Sequence, residues 1–383
     1  MMKSLIAVAF AAALSSVLPL QAARAQDNAP ILIASTLPLS GNVASFGEMA
    51  RWGAELAVAQ ANAAGGIRGR KVQFDVQDNR CNPAEAVKVT TQMLSNPAYV
   101  ALFDGLCSSV VLSVMPVVER ERIPLVVATA SATSISDKSG VGGNPWTFKF
   151  NPSDATLAVA MVDWLKKQGL ADKIAFLGED TDFGRSGAGG FETALKTSGG
   201  KLAASDFYQQ GTADFSAVLT KLRSLQPSVL ALYALAGDQR NIVSQFMTSG
   251  LKMPLTGRLI TDVIPAEIIK SGVIDGSTSV QPYSFEIDTP ENKAFVAAFK
   301  AAHGREPNAI AYSAYDAMRT LLDAIARAPS VDRTAIRDAL KATRMQSLIG
   351  GEIVFDENNL AHNYAVILQI KDGKVSIVGL SKT

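Results

Sequence analysis

The segment Tyr99-Val100-Ala101-Leu102-Phe103-Asp104-Gly105-Leu106-Cys107-Ser108-Ser109-Val110 changes character part-way along. Residues 99–103 are a continuous apolar run, the pattern of a strand buried on both faces, as in parallel sheets. Asp104 and Gly105 break the run, and Ser108-Ser109 stand where side-chain oxygens cap the start of a helix. Apolar residues continue to Val118, but Asp104, Gly105, Ser108, Ser109 and Pro116 interrupt them, and a bilayer would leave such polar groups unpaired. The segment therefore reads as strand, loop and helix start rather than as a membrane span.

Outward from it, the same alternation fills the chain. Strands at 31–36, 72–76, 99–103 and 124–128 are separated by helices at 46–63 and 83–94 and one beginning after Ser109, with Gly65-Gly66 stopping the first helix. The pattern restarts with strands at 146–150, 174–178, 201–208, 229–235 and 255–260, separated by helices at 154–168, 184–198, 215–225 and 239–249. An extended run at 277–284 precedes helices at 291–302, 310–328 and 333–343, which are expected to return to the first lobe. The tail is β: 351–355, then 364–371 and 375–380 joined by Asp372-Gly373, a hairpin signal. The reading is an α/β fold of two lobes, residues 26–148 with 282–355 and residues 149–281 with 356–383. The chain is expected to cross between them near 148–152, 279–283 and 355–358. Open α/β sheets bind ligands at the carboxyl ends of their strands, so the cleft between the lobes is the expected site.

Composition narrows the function. With 383 residues, 36 Lys+Arg against 35 Asp+Glu and no block of like charge, the chain has no electrostatic footprint for nucleic acid or for an anionic membrane surface. Two His and two Cys supply too little for a structural zinc site or a His-based triad, so no metal or cofactor is expected. No G-x-x-x-x-G-K-[ST], G-x-S-x-G or H-E-x-x-H occurs, and Gly184 to Gly190 do not match G-x-G-x-x-G. Glu179, Asp180 and Asp182 cluster after a strand, but loop polarity and helix N-terminal charge account for them. No catalytic residue is assigned.

Residues 1–25 read as a secretory leader: Lys3, an apolar stretch from Leu5 to Leu20, and Ala23-Arg24-Ala25 as the cleavage site before Gln26. Removing Lys3 and Arg24 with it changes the formal charge from +1 to −1. In an oxidising compartment Cys81 and Cys107 are most simply one disulfide, with a reactive thiol or metal pair as the alternative. Free N–H groups at the helix start, with the hydroxyls of Ser108 and Ser109, would suit a carboxylate, and plain helix capping explains the serines equally well. Thr129-Ala130-Ser131, small and hydroxylated, follows the next strand at the same sheet edge.

Taken jointly these residues resemble the periplasmic substrate-binding proteins of branched-chain amino acid ABC transporters, the leucine/isoleucine/valine-binding type. The resemblance covers essentially the whole chain after the leader. It rests on Pro38-Leu39-Ser40-Gly41, on Asn62-Ala63-Ala64-Gly65-Gly66-Ile67-Arg68-Gly69-Arg70, and on Asp78 followed by Cys81 and Pro83. It continues through Leu106-Cys107-Ser108-Ser109, Thr129-Ala130-Ser131, Tyr312-Ser313-Ala314-Tyr315-Asp316-Ala317 and residues 350–356. It implies two Rossmann-like lobes joined by three hinge strands, a type I periplasmic binding protein, with Cys81 and Cys107 in the positions of the family's disulfide. It also implies that Ser108 and the turn from Thr129 to Ser131 hold a ligand carboxylate, that Phe46 forms a pocket wall, and that Phe183 closes over the ligand.

The departures from that pattern concern the ligand's other end. Amino acid binders of this type usually hold the α-ammonium with an acidic residue after the segment at 255–260 and with an aromatic hydroxyl after the strand at 229–235. This chain has Arg258-Leu259-Ile260 and Ala234-Leu235-Ala236-Gly237 there, with Asp262 as the nearest acid. Leu235 and Asp262 therefore join the candidate site, and for Arg258 both the cleft and solvent, the common fate of a lone Arg, stay open. The expected activity is binding, not catalysis: a monomer that takes a small carboxylate, a hydrophobic amino acid or an aromatic acid, and delivers it to an inner-membrane ABC permease. The same fold presenting its ligand state to a membrane receptor or kinase is the alternative.

Overall fold

The computed structural model describes residues 29–361 and 364–382, and the leader expected over 1–25 lies outside them. The first lobe alternates β1 (Ile31–Leu37), α1 (Ala44–Ala63), β2 (Val72–Asp78), α2 (Pro83–Leu94), β3 (Tyr99–Asp104), α3 (Ser108–Glu121), β4 (Leu125–Val127), α4 (Thr133–Asp137) and β5 (Thr147–Lys149). Its five strands are all parallel, in the order β2-β1-β3-β4-β5. The apolar run that opened the reading is a central strand, buried from Ala101 to Asp104 because helices cover both faces. Pro83 sits in the first turn of α2, where its missing N–H costs nothing, and the Asn82 side chain accepts the Glu85 N–H.

The second lobe alternates α5 (Asp154–Lys167), β6 (Ile174–Glu179), α6 (Asp182–Lys196), β7 (Ala204–Tyr208), α7 (Ser216–Leu225), β8 (Val229–Tyr233), α8 (Ala236–Ser249), β9 (Leu255–Gly257), α9 (Ala266–Lys270) and β10 (Thr278–Gln281). Its parallel sheet has the order β7-β6-β8-β9. Ala175, Leu177, Leu230 and Leu232 pack in one cluster, and Ile174, Phe176, Val229, Ala231 and Tyr233 in another. That alternation is the period of a strand covered on both faces.

After β10 come α10 (Pro290–His303), α11 (Ala309–Arg327), α12 (Arg333–Lys341), β11 (Met345–Gln346), β12 (Glu352–Ile353), β13 (Tyr364–Lys371) and β14 (Lys374–Lys382). The three helices rejoin the first lobe's core. Helix α11 lies so close to α1 that a Cβ on Gly53 would fall 2.2 Å from the Ala311 carbonyl oxygen. Leu360 bridges to Lys149 and Phe355 to Ala361, so the returning chain stays beside β5 until Ala361. Strands β13 and β14 pair antiparallel and join β10 in the second lobe. Lys371 faces Lys374, leaving Asp372 (φ 52°) and Gly373 (φ 71°) as a two-residue loop with both φ positive, as a type I′ turn needs.

Two expectations change. The strand at 146–150, read as the start of the second lobe, pairs parallel with β4 through Phe148 opposite Val126 and completes the first sheet, leaving four strands in the second. The short helix α4 makes this possible by carrying the chain from β4 to β5, and the small hydroxylated residues at 128–133 concealed it. The strand at 351–355 shrinks to Glu352–Ile353, which pairs with Met345–Gln346, while Phe355 makes only the isolated bridge to Ala361.

Cys81 and Cys107 form a disulfide across a sequence separation of 26. It ties the end of β2 to the start of α3. Reducing it is expected to lower the melting temperature by removing about 3–4 kcal/mol, and an unaltered melt would show that packing alone holds this region. Gly53→Ala is expected to lower stability by about 1–3 kcal/mol in a denaturant melt, since backbone stands where the new methyl must go.

Candidate functional site

Both parallel sheets turn their carboxyl ends toward the space between the lobes, where a small cleft lies. The first lobe lines it with Phe46 beyond β1, Leu106 beyond β3, and Thr129 and Ser131 beyond β4. The second lobe lines it with Phe183 beyond β6, Ala234 and Leu235 beyond β8, and Arg258 and Ile260 beyond β9. Asn151 and Gln281 line it from two crossings, and Ala309, Ile310 and Ser313 from the start of α11. Asn308 accepts the N–H groups of Ile310 and Ala311, which fixes where that helix begins.

The turn beyond β4 is shaped by one carbonyl. Gly105 adopts φ 108°, and a Cβ there would meet the Val127 side chain at 2.6 Å, so only glycine fits. Its oxygen accepts from the N–H groups of Thr129 (2.8 Å) and Ala130 (2.6 Å) and from the Thr129 hydroxyl (2.6 Å). The Ala132 N–H donates to the Ser108 hydroxyl at 3.2 Å. Among the described residues this leaves the Ser131 N–H as the turn's donor without a protein acceptor.

Of the residues expected in the site, Phe46, Thr129, Ser131, Phe183 and Leu235 come together around the cleft. Ser108, Ser109, Ala130 and Asp262 do not line it. The Ser108 hydroxyl is buried and accepts the Ala132 N–H, and Ala130 is buried with its N–H on Gly105. Ser109 reaches across the lobes, where its hydroxyl accepts the Asp182 N–H at 3.2 Å. Asp262, the candidate ammonium partner, pairs instead with Arg305 (3.0 Å) and Asn308 (2.8 Å) and lines the neighbouring cavity. Two further contacts cross the rim: the Thr133 N–H to the Ser186 hydroxyl at 2.9 Å, and the Gly237 N–H to the Asn42 carbonyl at 3.2 Å.

Arg258, Asn151 and Gln281 were not among the expected residues. Arg258 follows Gly257 at the end of β9, so its place at a parallel strand's carboxyl end was the usable signal. It does not face solvent as a lone Arg would: it is part-buried, lines the cleft, and its Nη1 is buried without a hydrogen-bond partner. The Asn151 amide nitrogen donates to Thr129 O at 2.7 Å, and that of Gln281 to Leu259 O at 3.0 Å and the Ser279 hydroxyl at 2.9 Å. Those bonds fix both amides with Oδ1 and Oε1 as acceptors, and both oxygens are buried without donors.

Behind the lining, Lys149 on β5 and Asp154 at the start of α5 are fully buried. Burial pulls Lys149 down to about 7, with the Asp154 charge the largest opposing influence. Burial raises Asp154, opposed first by Arg258 and then by Ser131, Lys149 and Ser186. The two hydroxyls lie near enough to favour its charge, yet neither makes a hydrogen bond of good geometry with it. The lining itself holds one charged side chain, Arg258, and no His, Cys, Asp, Glu or Lys. No cluster of three or more His, Cys, Asp or Glu suited to a metal occurs among the described residues. This arrangement can grip a small organic anion between apolar walls.

The family of periplasmic binding proteins matches the chain over residues 30–374. The chain belongs to that family. It is 27% identical to Leu/Ile/Val-binding protein homolog 7 of Brucella abortus, over 95% of this chain and 94% of that one. It is 25% identical to the leucine-, isoleucine-, valine-, threonine- and alanine-binding protein of Pseudomonas aeruginosa, over 87% and 88%. Its fold matches an ABC transporter solute-binding protein of R. palustris in complex with benzoate, with a TM-score of 0.83, 23% identity and 92% and 97% coverage. It also matches the branched-chain amino acid transporter substrate-binding protein of Streptococcus pneumoniae in complex with isoleucine, with a TM-score of 0.81, 22% identity and 92% and 100% coverage. All four relatives are binding proteins by name, and the two solved structures are binding components of transporters.

In this binding protein Ser108→Ala is expected to cost about 1–3 kcal/mol of stability, because it strands the buried Ala132 N–H, while ligand affinity changes little. A lost affinity with an unaltered melt would return Ser108 to the site.

Proposed function

We propose that the protein is the solute-binding component of an ABC transporter, exported to the periplasm, closing on a small carboxylate and delivering it to an inner-membrane permease. The observation that carries this reading is that neither lobe encloses the cleft alone. The hydroxyl-bearing turn and Phe46 come from one lobe, and Phe183, Leu235 and Arg258 from the other, so a ligand completes its contacts only when the hinge shuts. Ser131 would orient the carboxylate, with Thr129 holding the turn on Gly105, while Phe46, Phe183 and Leu235 would cover the apolar body. Charge-assisted hydrogen bonds then set orientation, and burial contributes about 25 cal/mol per Å² of apolar surface. The bound molecules named for the two structural relatives, benzoate and isoleucine, both carry a carboxylate on an apolar body.

The test is a thermal-shift panel on protein unfolded and refolded to strip carried-over solute, with leucine, valine, phenylalanine, benzoate, 4-hydroxybenzoate and short aliphatic acids. Ligand at about 100 times its Kd is expected to add about 2.7 kcal/mol, and Ser131→Ala to reduce the shift. A panel in which no carboxylate moves the melt overturns the reading.

A further inference from the structure

Resting on that reading, we propose that Arg258 sets the charge the cleft accepts: it meets the ligand's carboxylate from the second lobe and excludes ligands that also carry an α-ammonium. Arg258 lines the cleft, and its Nη1, buried without a partner, is a donor that a carboxylate oxygen would satisfy. The position is suitable. Arg258 acts on the charge of Asp154, and Asp154 lies against Ser131, whose carbonyl accepts the Asp154 N–H at 2.8 Å. Arg258 and the turn at Ser131 both border the cleft, from opposite lobes and each with Asp154 as a neighbour, and one carboxylate held by both would complete the site.

The balance of charge runs the same way. Arg258 is the one charged side chain on the lining and no acid lines the cleft, so the lining itself carries an excess of one positive charge, while Lys149 behind it is drawn down toward neutrality and has Asp154, Asp137 and Asp356 as acidic neighbours. A monoanion compensates that excess. A zwitterion would bring its ammonium beside a guanidinium with no carboxylate to pair it, and a buried charge without a partner is strongly disfavoured. The acceptors that remain on the lining, Asn151 Oδ1 and Gln281 Oε1, are neutral. They suit the O–H of a hydroxy acid, which fills an acceptor without adding charge. The nearest acid in sequence, Asp262, is held by Arg305 and Asn308 away from the cleft.

The experiment compares matched ligands by isothermal titration of the stripped full-length mature protein. The sets are leucine, 4-methylpentanoate and 2-hydroxy-4-methylpentanoate, and phenylalanine, 3-phenylpropanoate and 3-phenyllactate, with benzoate and 4-hydroxybenzoate alongside. The acids without ammonium are expected to bind about tenfold or more tighter than their amino counterparts. Arg258→Met is expected to weaken them by about 30-fold or more, and Arg258→Lys, which keeps the charge and loses the fork, by less while still rejecting the amino acids. Amino acids binding as well as or better than their matched acids would overturn the inference and leave the carboxylate receptor standing. Unchanged affinity in a folded Arg258→Met would also overturn it. If Arg258→Met does not fold, the wild-type ranking and Arg258→Lys decide. No binding by any member would bring down the receptor reading and this inference together.

Discussion

One carbonyl group, that of Gly105, organises the first lobe's half of the cleft. It lies between β3 and β4, accepts three hydrogen bonds from Thr129 and Ala130, and thereby folds the end of one strand over the end of its neighbour. The geometry requires a left-handed residue pressed against Val127, which only glycine satisfies. Once those N–H groups are spent, the turn can offer only Ser131, and Ser108 serves as the brace beneath Ala132. The first lobe's turn therefore offers a single main-chain donor, the Ser131 N–H, placed by the fold rather than by a flexible side chain.

The second lobe contributes charge where the first contributes geometry. Arg258 projects from the end of β9 toward a buried group in which Lys149 and Asp154 come from either side of the first crossing. Charges in such a place interact strongly because water is scarce, and they also tie the crossing to the cleft. A change in what occupies the cleft is consequently felt at the segment about which the lobes turn.

Much of this was legible in the chain. Parallel strands with helices on both faces read as apolar runs between helical segments, and residues just beyond those runs face the cleft, so Thr129 and Ser131 were visible from their positions, whereas Phe46 and Phe183 were named only through the family resemblance. Asp372-Gly373 identified its hairpin because the turn demands positive φ at both residues. What escaped depended on partners distant in sequence. Whether β5 closes the first sheet or opens the second is decided by β4, and no feature of residues 146–150 records that choice. That Ser108 braces Ala132, a loop away, and that Asp262 is held by Arg305 and Asn308, are both settled by partners the local sequence does not name. Arg258 was visible but ambiguous, since solvent and cleft are both reachable from the end of an edge strand.

The rim contacts have a consequence of their own. Ser109 with Asp182, Thr133 with Ser186, Asn42 with Gly237 and Asp262 with Arg305 join the lobes without lining the cleft. Each favours closure whatever the cleft contains, so together they set the fraction of empty molecules already in the competent form. Apparent affinity scales with that fraction, whereas discrimination between solutes does not. How tightly the protein holds a solute and which solute it holds are thus governed by different residues, and drift at the rim can retune the first without disturbing the second.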